Sequence, residues 1–216
     1  MNKKSSEKKP RGKRVNTLSA SSETTRQTNY SVDISTIIHF YDYFKCKNKT
    51  QKDFLSLINK KEFVIASGPA GVGKSYVAVA RALELLKDSS TPYSKLIISK
   101  PAVEADEHHG FTPGNLREKM EPYVASTLDI IDELIGKQNR LILEEQGVLL
   151  VQPLAFIRGK SINNTILVME EAQNMTPRQM KTLMTRIGHD SKFIISGDLD
   201  QSDKFKNVTE SGLYDA

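Results

Sequence analysis

"GPAGVGKS", Gly68–Ser75, fits the spacing G-x-x-x-x-G-K-[ST]. The chemistry explains the spacing. Glycines let backbone N–H groups converge on phosphate oxygens. A helix that starts at the lysine turns its partial positive end toward the same anion. Lys74 is placed to reach terminal phosphates, and the Ser75 hydroxyl to bind Mg²⁺. The same letters also describe a Gly-rich turn, so the flanks decide. "EFVIAS" (62–67) precedes the loop as a short apolar run with β-branched residues, which predicts a buried strand. "YVAVARALELL" (76–86) follows it, with Ala78, Ala82 and Leu85 on one helical face and Val79, Leu83 and Leu86 beside them. Strand, glycine loop and helix together predict a phosphate-binding unit. Its contacts are Gly68, Pro69, Ala70, Gly71, Val72, Gly73, Lys74, Ser75 and Tyr76.

The rest of the chain extends the alternation. "DISTIIHFYDYF" (33–44) and "KTQKDFLSLINK" (49–60) read as two short helices around a polar "KCKNK" turn. "KLIISK" (95–100) reads as a second strand. A loop containing "EADEHHGFTPG" follows, and Asn115 with Glu118 resembles a capping box. Val124, Leu128, Ile131 and Ile135 give the apolar spacing of a packed helix, with Pro122 predicting a break before it. "GVLLVQPLAFI" (147–157) reads largely as strand, and Pro153 suggests an edge or bulge. "TILVME" (165–170) is a buried strand. Thr176-Pro177-Arg178-Gln179 is a helix start with an N-cap Thr, Pro at N1 and Gln at N3. Met180, Leu183, Met184 and Ile187 are that helix's expected core stripe, and "KFIISGD" (192–198) is the last clear strand. Strands alternating with helices predict an α/β domain with a mainly parallel sheet.

A phosphate loop gives an acidic pair at a later strand end a specific task. In "TILVMEEAQNMTP" (165–177), Glu170 takes the metal slot and Glu171 the base slot that polarises an attacking water. Asp is usual in the first slot, and Glu is one methylene longer. "SGDLDQ" (196–201) ends another strand, placing Asp198 and Gln201 beyond it. In open parallel sheets such loops line the ligand crevice. Gly68–Ser75, Glu170–Glu171 and Asp198–Gln201 are therefore expected to converge, with Gln201 monitoring the γ-phosphate. Hydrolysis of this kind often uses an arginine against developing negative charge, and Arg158 and Arg186 are the candidates. His108 and His109 lack the partner spacing of a metal site and read as solvated loop, as do Glu104, Asp106 and Glu107.

Composition bounds the class. Residues 1–30 hold eight Lys/Arg against two Glu, a net of +6; the whole chain is +5, which leaves 31–216 at −1. The basic character belongs to the first 29 residues, which read as a disordered tail, either a solvated leader or a loose nucleic-acid arm. Residues 30–216 read as one domain. Cys46 stands alone, so no intrachain disulfide forms, which fits a reducing cytosol. No apolar run approaches the roughly 20 residues that span a bilayer. The expectation is a cytoplasmic protein with no membrane partner.

"GPAGVGKSYVAVA", "KPAVEADEHHGFTPGNLREKMEPY", "QPLAFIRGKSINNTILVMEEAQNMTPRQMKTLMTRIG" and "SGDLDQ" together resemble the PhoH-like family of phosphate-starvation-inducible P-loop ATPases, related to superfamily-one helicase cores. The similarity runs from about Lys49 to the end, interrupted near 129–147. It implies a RecA-like fold, ATP and Mg²⁺ as ligands, and a short form of the kind common in bacteriophages. It also implies a role for Gln51, 17 residues before Gly68, in reading the adenine edge; the competing reading is a surface Gln on a helix. Lys100 and Lys160 stand where the family usually has Arg, and Glu170 where it has Asp. The chain ends at Ala216, where similar proteins continue through another helix and strand; the reading is either a minimal form or a missing C-terminal part.

A helicase of this type clamps nucleotide between two such domains, and one is present here. The resemblance thus implies a homo-oligomer, a ring such as a hexamer, with sites at subunit contacts, and single-stranded RNA as a partner. Two other readings stay open. One is a P-loop small-molecule kinase, although no Arg-rich lid is visible. The other is an ATP-gated binding module that does not hydrolyse.

Overall fold

The computed structural model describes residues 33–41, 44–101, 116–157 and 161–216, with the side chains of 116–121 set aside. The basic tail, the acidic and histidine-bearing loop, the Asn115 cap and Arg158 with Lys160 lie outside the described residues.

Five strands form one parallel sheet: β1 (Phe63–Ser67), β2 (Lys95–Ser99), β3 (Leu149–Val151), β4 (Thr165–Met169) and β5 (Lys192–Gly197). Their order is β1-β5-β4-β2-β3. In register, Ser67 lies beside Gly197, Met169 beside Ile195, and Ser99 beside Met169. The last strand in the chain therefore stands between the strand that carries the glycine loop and the strand that carries the glutamates, the RecA-like arrangement of a P-loop domain. β4 and β5 are buried along their whole length. Both faces are covered, which is why they read as unbroken apolar runs rather than as an alternation.

The two faces carry separate cores. Ile166, Val168 and Ile194 join the core built by α1 (Ile34–Ile37), α2 (Lys49–Lys60), α3 (Lys74–Lys87), α4 (Leu116–Ile135) and α5 (Lys137–Glu145). Leu167, Met169, Phe193 and Ile195 face the other way, onto α6 (Pro177–Met184) and the 3-10 turns at 154–157 and 172–174. The period-2 geometry of a strand alone sorts these neighbours. α3 crosses over the sheet on the first face, and all the residues predicted on its apolar sides are buried. Among the described residues no helix is long and apolar enough to cross a membrane.

Several expectations need correction. Helix α1 is one turn, Ile34–Ile37, rather than the whole of 33–44. The 147–157 stretch is strand only at Leu149–Val151, because Pro153 ends the ladder and a 3-10 turn follows; β3 is indeed an edge strand. Helix α4 runs through Pro122 without a break. The proline removes one hydrogen bond, and the buried stripe of Val124, Leu128, Ile131 and Ile135 holds the helix in place. Helix α5 falls in a stretch with no assigned element. It closes on α4 through Arg140, whose Nε and Nη2 donate to Asp132 (2.5 and 3.2 Å) and whose Nη1 donates to Glu144 at 2.7 Å. In α6 the capping box is present, with Thr176 and Gln179 exchanging side chain–backbone bonds. That helix ends at Met184, which is 40% exposed; Met180 and Leu183 are buried, and Ile187, past the helix end, is partly buried against the same core.

Candidate functional site

The glycine loop rises from the carboxyl end of β1. Gly71 and Gly73 have φ of 76° and 88°, the left-handed region that glycine enters without strain. At Gly73 a Cβ would also lie 2.7 Å from Gln51 Nε2. Gly73 is the N-cap of α3, and no side chain caps that helix. Its first N–H groups therefore point into the loop without a side-chain acceptor. The Lys74 ammonium folds over the loop and donates to Gly68 O (2.6 Å) and Pro69 O (2.8 Å). Two of its three donors are used, and the third is available to an anion. Ser75 is the next residue of α3 and is partly exposed.

Gln51 belongs to the loop's support. Its Nε2 donates to Val72 O at 2.9 Å and its Oε1 accepts from the Lys47 N–H at 2.7 Å. Asn48 caps α2 by accepting from the Gln51 N–H. A cleft of about 330 Å³ lies on one side, lined by Phe54, Pro69 and Lys74 among others. A second of about 360 Å³ lies on the other, lined by Phe44, Tyr76 and Glu133 among others. Both share Gln51 and Gly73. The Phe44 and Tyr76 rings are tilted at 5.8 Å between centroids, and Tyr76 OH donates to Glu133 Oε1 at 3.2 Å.

The loop is tied sideways into the sheet, for the Gly68 N–H donates to Gly197 O at 3.2 Å. The next residue, Asp198, donates its N–H to Gln173 Oε1 at 3.0 Å. The same Gln173 amide donates from Nε2 to Glu171 Oε2 at 2.6 Å and to Gln201 O at 3.2 Å. A hydrogen-bonded belt thus runs from the glycine loop through β5 to Glu171. Adjacent strands are about 4.8 Å apart, so the ends of β1 and β4 stand roughly 10 Å from one another.

The two glutamates separate sharply. Glu171 is exposed and holds a left-handed backbone, φ 54°, which turns its side chain toward Gln173. Such strain in a non-glycine residue persists only where its surroundings impose it. Glu170 is 3% exposed. Its Oε2 accepts from the Thr127 hydroxyl of α4 and pairs with Lys100 Nζ at 3.4 Å. Among the described residues no donor reaches its Oε1, nor the buried Oγ of Ser99.

Gln201 closes the 3-10 turn after β5 and is exposed. Arg186 lies elsewhere. Its carbonyl accepts from the Ile162 N–H, ahead of the first residue of β4, which places it at the amino end of the sheet, away from the loop of its own chain. No arginine among the described residues lines either cleft.

Reading by motif missed Gln173 and Asn174. Gln173 is fully buried, and Asn174 Oδ1 accepts from the N–H groups of Asp203 and Lys204. The available signal was two amides in a turn whose neighbours Ala172 and Met175 are apolar: a buried amide demands partners, and the partners are the backbone after β5. Gly197 belongs to the same contact. A Cβ there would fall 2.7 Å from Gln173 Oε1 and 2.5 Å from Leu213 Cδ2.

Among the described residues no group of three or more His, Cys, Asp or Glu gathers to hold a metal ion. The oxygen chemistry present suits Mg²⁺, which takes one or two protein oxygens and completes its shell with phosphate and water. Ser75 Oγ and Glu170 Oε1 are that kind of donor.

A family model described as PhoH-like protein matches residues 43–216. The chain is 40% identical over 169 residues to the PhoH-like protein of Bacillus subtilis (strain 168), covering 78% of this chain and 52% of that one. It is 34% identical over 172 residues to Protein PhoH of Escherichia coli (strain K12), covering 79% and 48%. The chain thus spans about half the length of these relatives. A solved structure, the Sulfolobus solfataricus SWI2/SNF2 ATPase core in complex with dsDNA, aligns at a TM-score of 0.45 and 10% identity over 79% of this chain and 37% of its own.

Proposed function

The chain belongs to the PhoH-like family, and on that premise we propose that it binds ATP with Mg²⁺ at the glycine loop and hydrolyses it to ADP and phosphate. The observation that carries the reading is the belt from Gly68 through Gly197 and Gln173 to Glu171. It fixes a phosphate-binding loop and a carboxylate relative to one another.

The residues divide the work. Lys74 and the uncapped start of α3 hold the β- and γ-phosphates. The Glu171 carboxylate accepts a proton from water as the water oxygen attacks the γ-phosphorus, and the bond to the ADP oxygen breaks. Gln173 holds Glu171 in the orientation for that transfer, and Gln201 faces the γ-phosphate. Ser75 and Glu170 would hold a magnesium ion, which when bound would draw charge from the phosphate oxygens. Phe44 and Tyr76 offer an aromatic wall to the base, with Gln51 between the two clefts. In this reading the working form is a homo-oligomeric ring in which a second copy of the chain supplies the cation. Arg186 and Arg158 are the residues to test for that role, and single-stranded RNA is the partner to test for stimulation.

Phosphate release from Mg·ATP, followed against protein concentration with and without single-stranded RNA, tests the reading. Lys74→Ala is expected to lose nucleotide affinity. Glu171→Gln is expected to bind and stop turning over. Equal turnover in Glu171→Gln and the parent removes Glu171 from the base role. Transfer only to an added nucleoside or nucleotide would make the protein a kinase, and tight binding without turnover would make it a binding module.

A further inference from the structure

We propose that Thr127 on α4 is a positioning residue for Glu170, and that Glu rather than Asp occupies this slot because only the longer side chain reaches α4. The proposal rests on the reading of Glu170 as a magnesium-holding residue.

Thr127 interrupts the apolar stripe of α4 and is fully buried. A hydroxyl removed from water in that way is costly unless bonded. Its partner is a carboxylate from a strand 43 residues away in sequence. Lys100, at the end of β2, approaches the same oxygen, Oε2, at 3.4 Å. Two donors on one oxygen orient the carboxylate and leave Oε1 as the atom without a donor among the described residues. The Glu170 backbone is fixed as well, since its N–H donates to Ser99 O at 3.0 Å. With both ends held, chain length decides what the carboxylate touches. An Asp at this position would end about 1.5 Å short, one carbon–carbon bond, and leave the Thr127 hydroxyl without an acceptor. Helix α4, which follows the 102–115 segment, is thereby connected to the proposed magnesium site through the Thr127–Glu170 hydrogen bond.

The test is a double-mutant cycle read by nucleotide affinity rather than by turnover. A fluorescent, non-hydrolysable ATP analogue is titrated into the full chain over a range of Mg²⁺ concentrations. The readout is the Mg²⁺ concentration that gives half of the metal-dependent tightening. Thr127→Val is expected to raise it about tenfold, the usual cost of losing a residue that orients a metal ligand, with the Mg²⁺-free affinity unchanged. Glu170→Asp is expected to raise it similarly, and the double variant no further, because the shorter carboxylate has already lost the contact. Thr127→Ser keeps the hydroxyl and is expected to match the parent; it also serves if Thr127→Val folds poorly. Multiplying losses in the double variant, or a parent-like Mg²⁺ requirement in Thr127→Val, overturns the proposal. A parent whose affinity for the analogue ignores Mg²⁺ removes the underlying reading instead, and the proposal with it.

Discussion

Arg140 and Glu170 are both almost fully buried charges, 4% and 3% exposed, and the molecule treats them differently. At the junction of α4 and α5 all three nitrogens of Arg140 are taken, two by Asp132 and one by Glu144. The two carboxylates hold its guanidinium in the protonated form against the burial that would lower its pKa. At the carboxyl end of β4, Glu170 has one oxygen held twice and the other reached by no described donor. A saturated set of charges is a joint between helices. A set with an atom left over is a place for something else to bind. Burial alone does not separate the two; the count of satisfied atoms does.

That contrast can be broken by experiment. The largest effect is expected at Glu171, next to the unsaturated set, where Glu171→Gln should lower turnover by roughly 10²–10⁴-fold, the scale of a lost general base, with the folding midpoint unmoved. If phosphate release persists, the belt to Gln173 is structural only. Arg140→Met should do the reverse, costing about 1–3 kcal/mol of stability by taking the guanidinium away from Asp132, which is partly exposed, and from Glu144, with nucleotide affinity unchanged in the fraction that folds. Urea denaturation measures it. Changing Arg140, Asp132 and Glu144 together to apolar residues should recover most of that loss, and failure to recover would give the joint a role beyond closing α4 on α5. Gly197→Ala is expected to cost about 1–3 kcal/mol, because its Cβ meets Gln173 and Leu213, and to reduce turnover as Gln173 shifts. A stable variant with parent-like turnover would dissolve the link between β5 and Glu171.

Lys192 supplies the smallest and most graded test. Its ammonium is buried at the start of β5 and donates to the carbonyls of Ile58 (2.6 Å) and Lys61, at the end of α2. Burial lowers its pKa in the folded protein; Glu62 opposes the shift and Arg81 adds to it. Between the lowered folded value and about 10.4 in the unfolded chain, the unfolded state binds more protons. Stability should therefore rise with pH across that window as far as this group contributes. Lys192→Met should flatten the rise, read as the difference between the two proteins' stability profiles in mildly alkaline buffers. An unchanged profile would mean that the two carbonyls fully compensate the burial.

Much of the site was legible from short stretches. The loop needs only eight residues to declare itself, because left-handed glycines, a lysine and a hydroxyl act within two turns of chain. The capping box of α6 is a relation between Thr176 and Gln179, three residues apart. The apolar runs of β4 and β5 announce strands covered on both faces. Where reading failed, the deciding contact was distant. Pro122 predicts a break that the packing of α4 overrides, and Met184 fits the stripe of α6 yet lies past the sheet's cover.

Neighbouring residues alone encode the glycine loop, the alternation of strands and helices, and the acidic pair at a strand end, since each depends on the backbone preferences of nearby positions. Long-range packing is what sets β5 between β1 and β4, joins Glu171 through Gln173 to the turn after β5, and turns Glu170 toward Thr127. These are pairings between residues 25 to 43 positions apart or between whole strands. No local periodicity encodes them; they follow from which apolar faces bury one another and from the need of each buried polar atom for a partner.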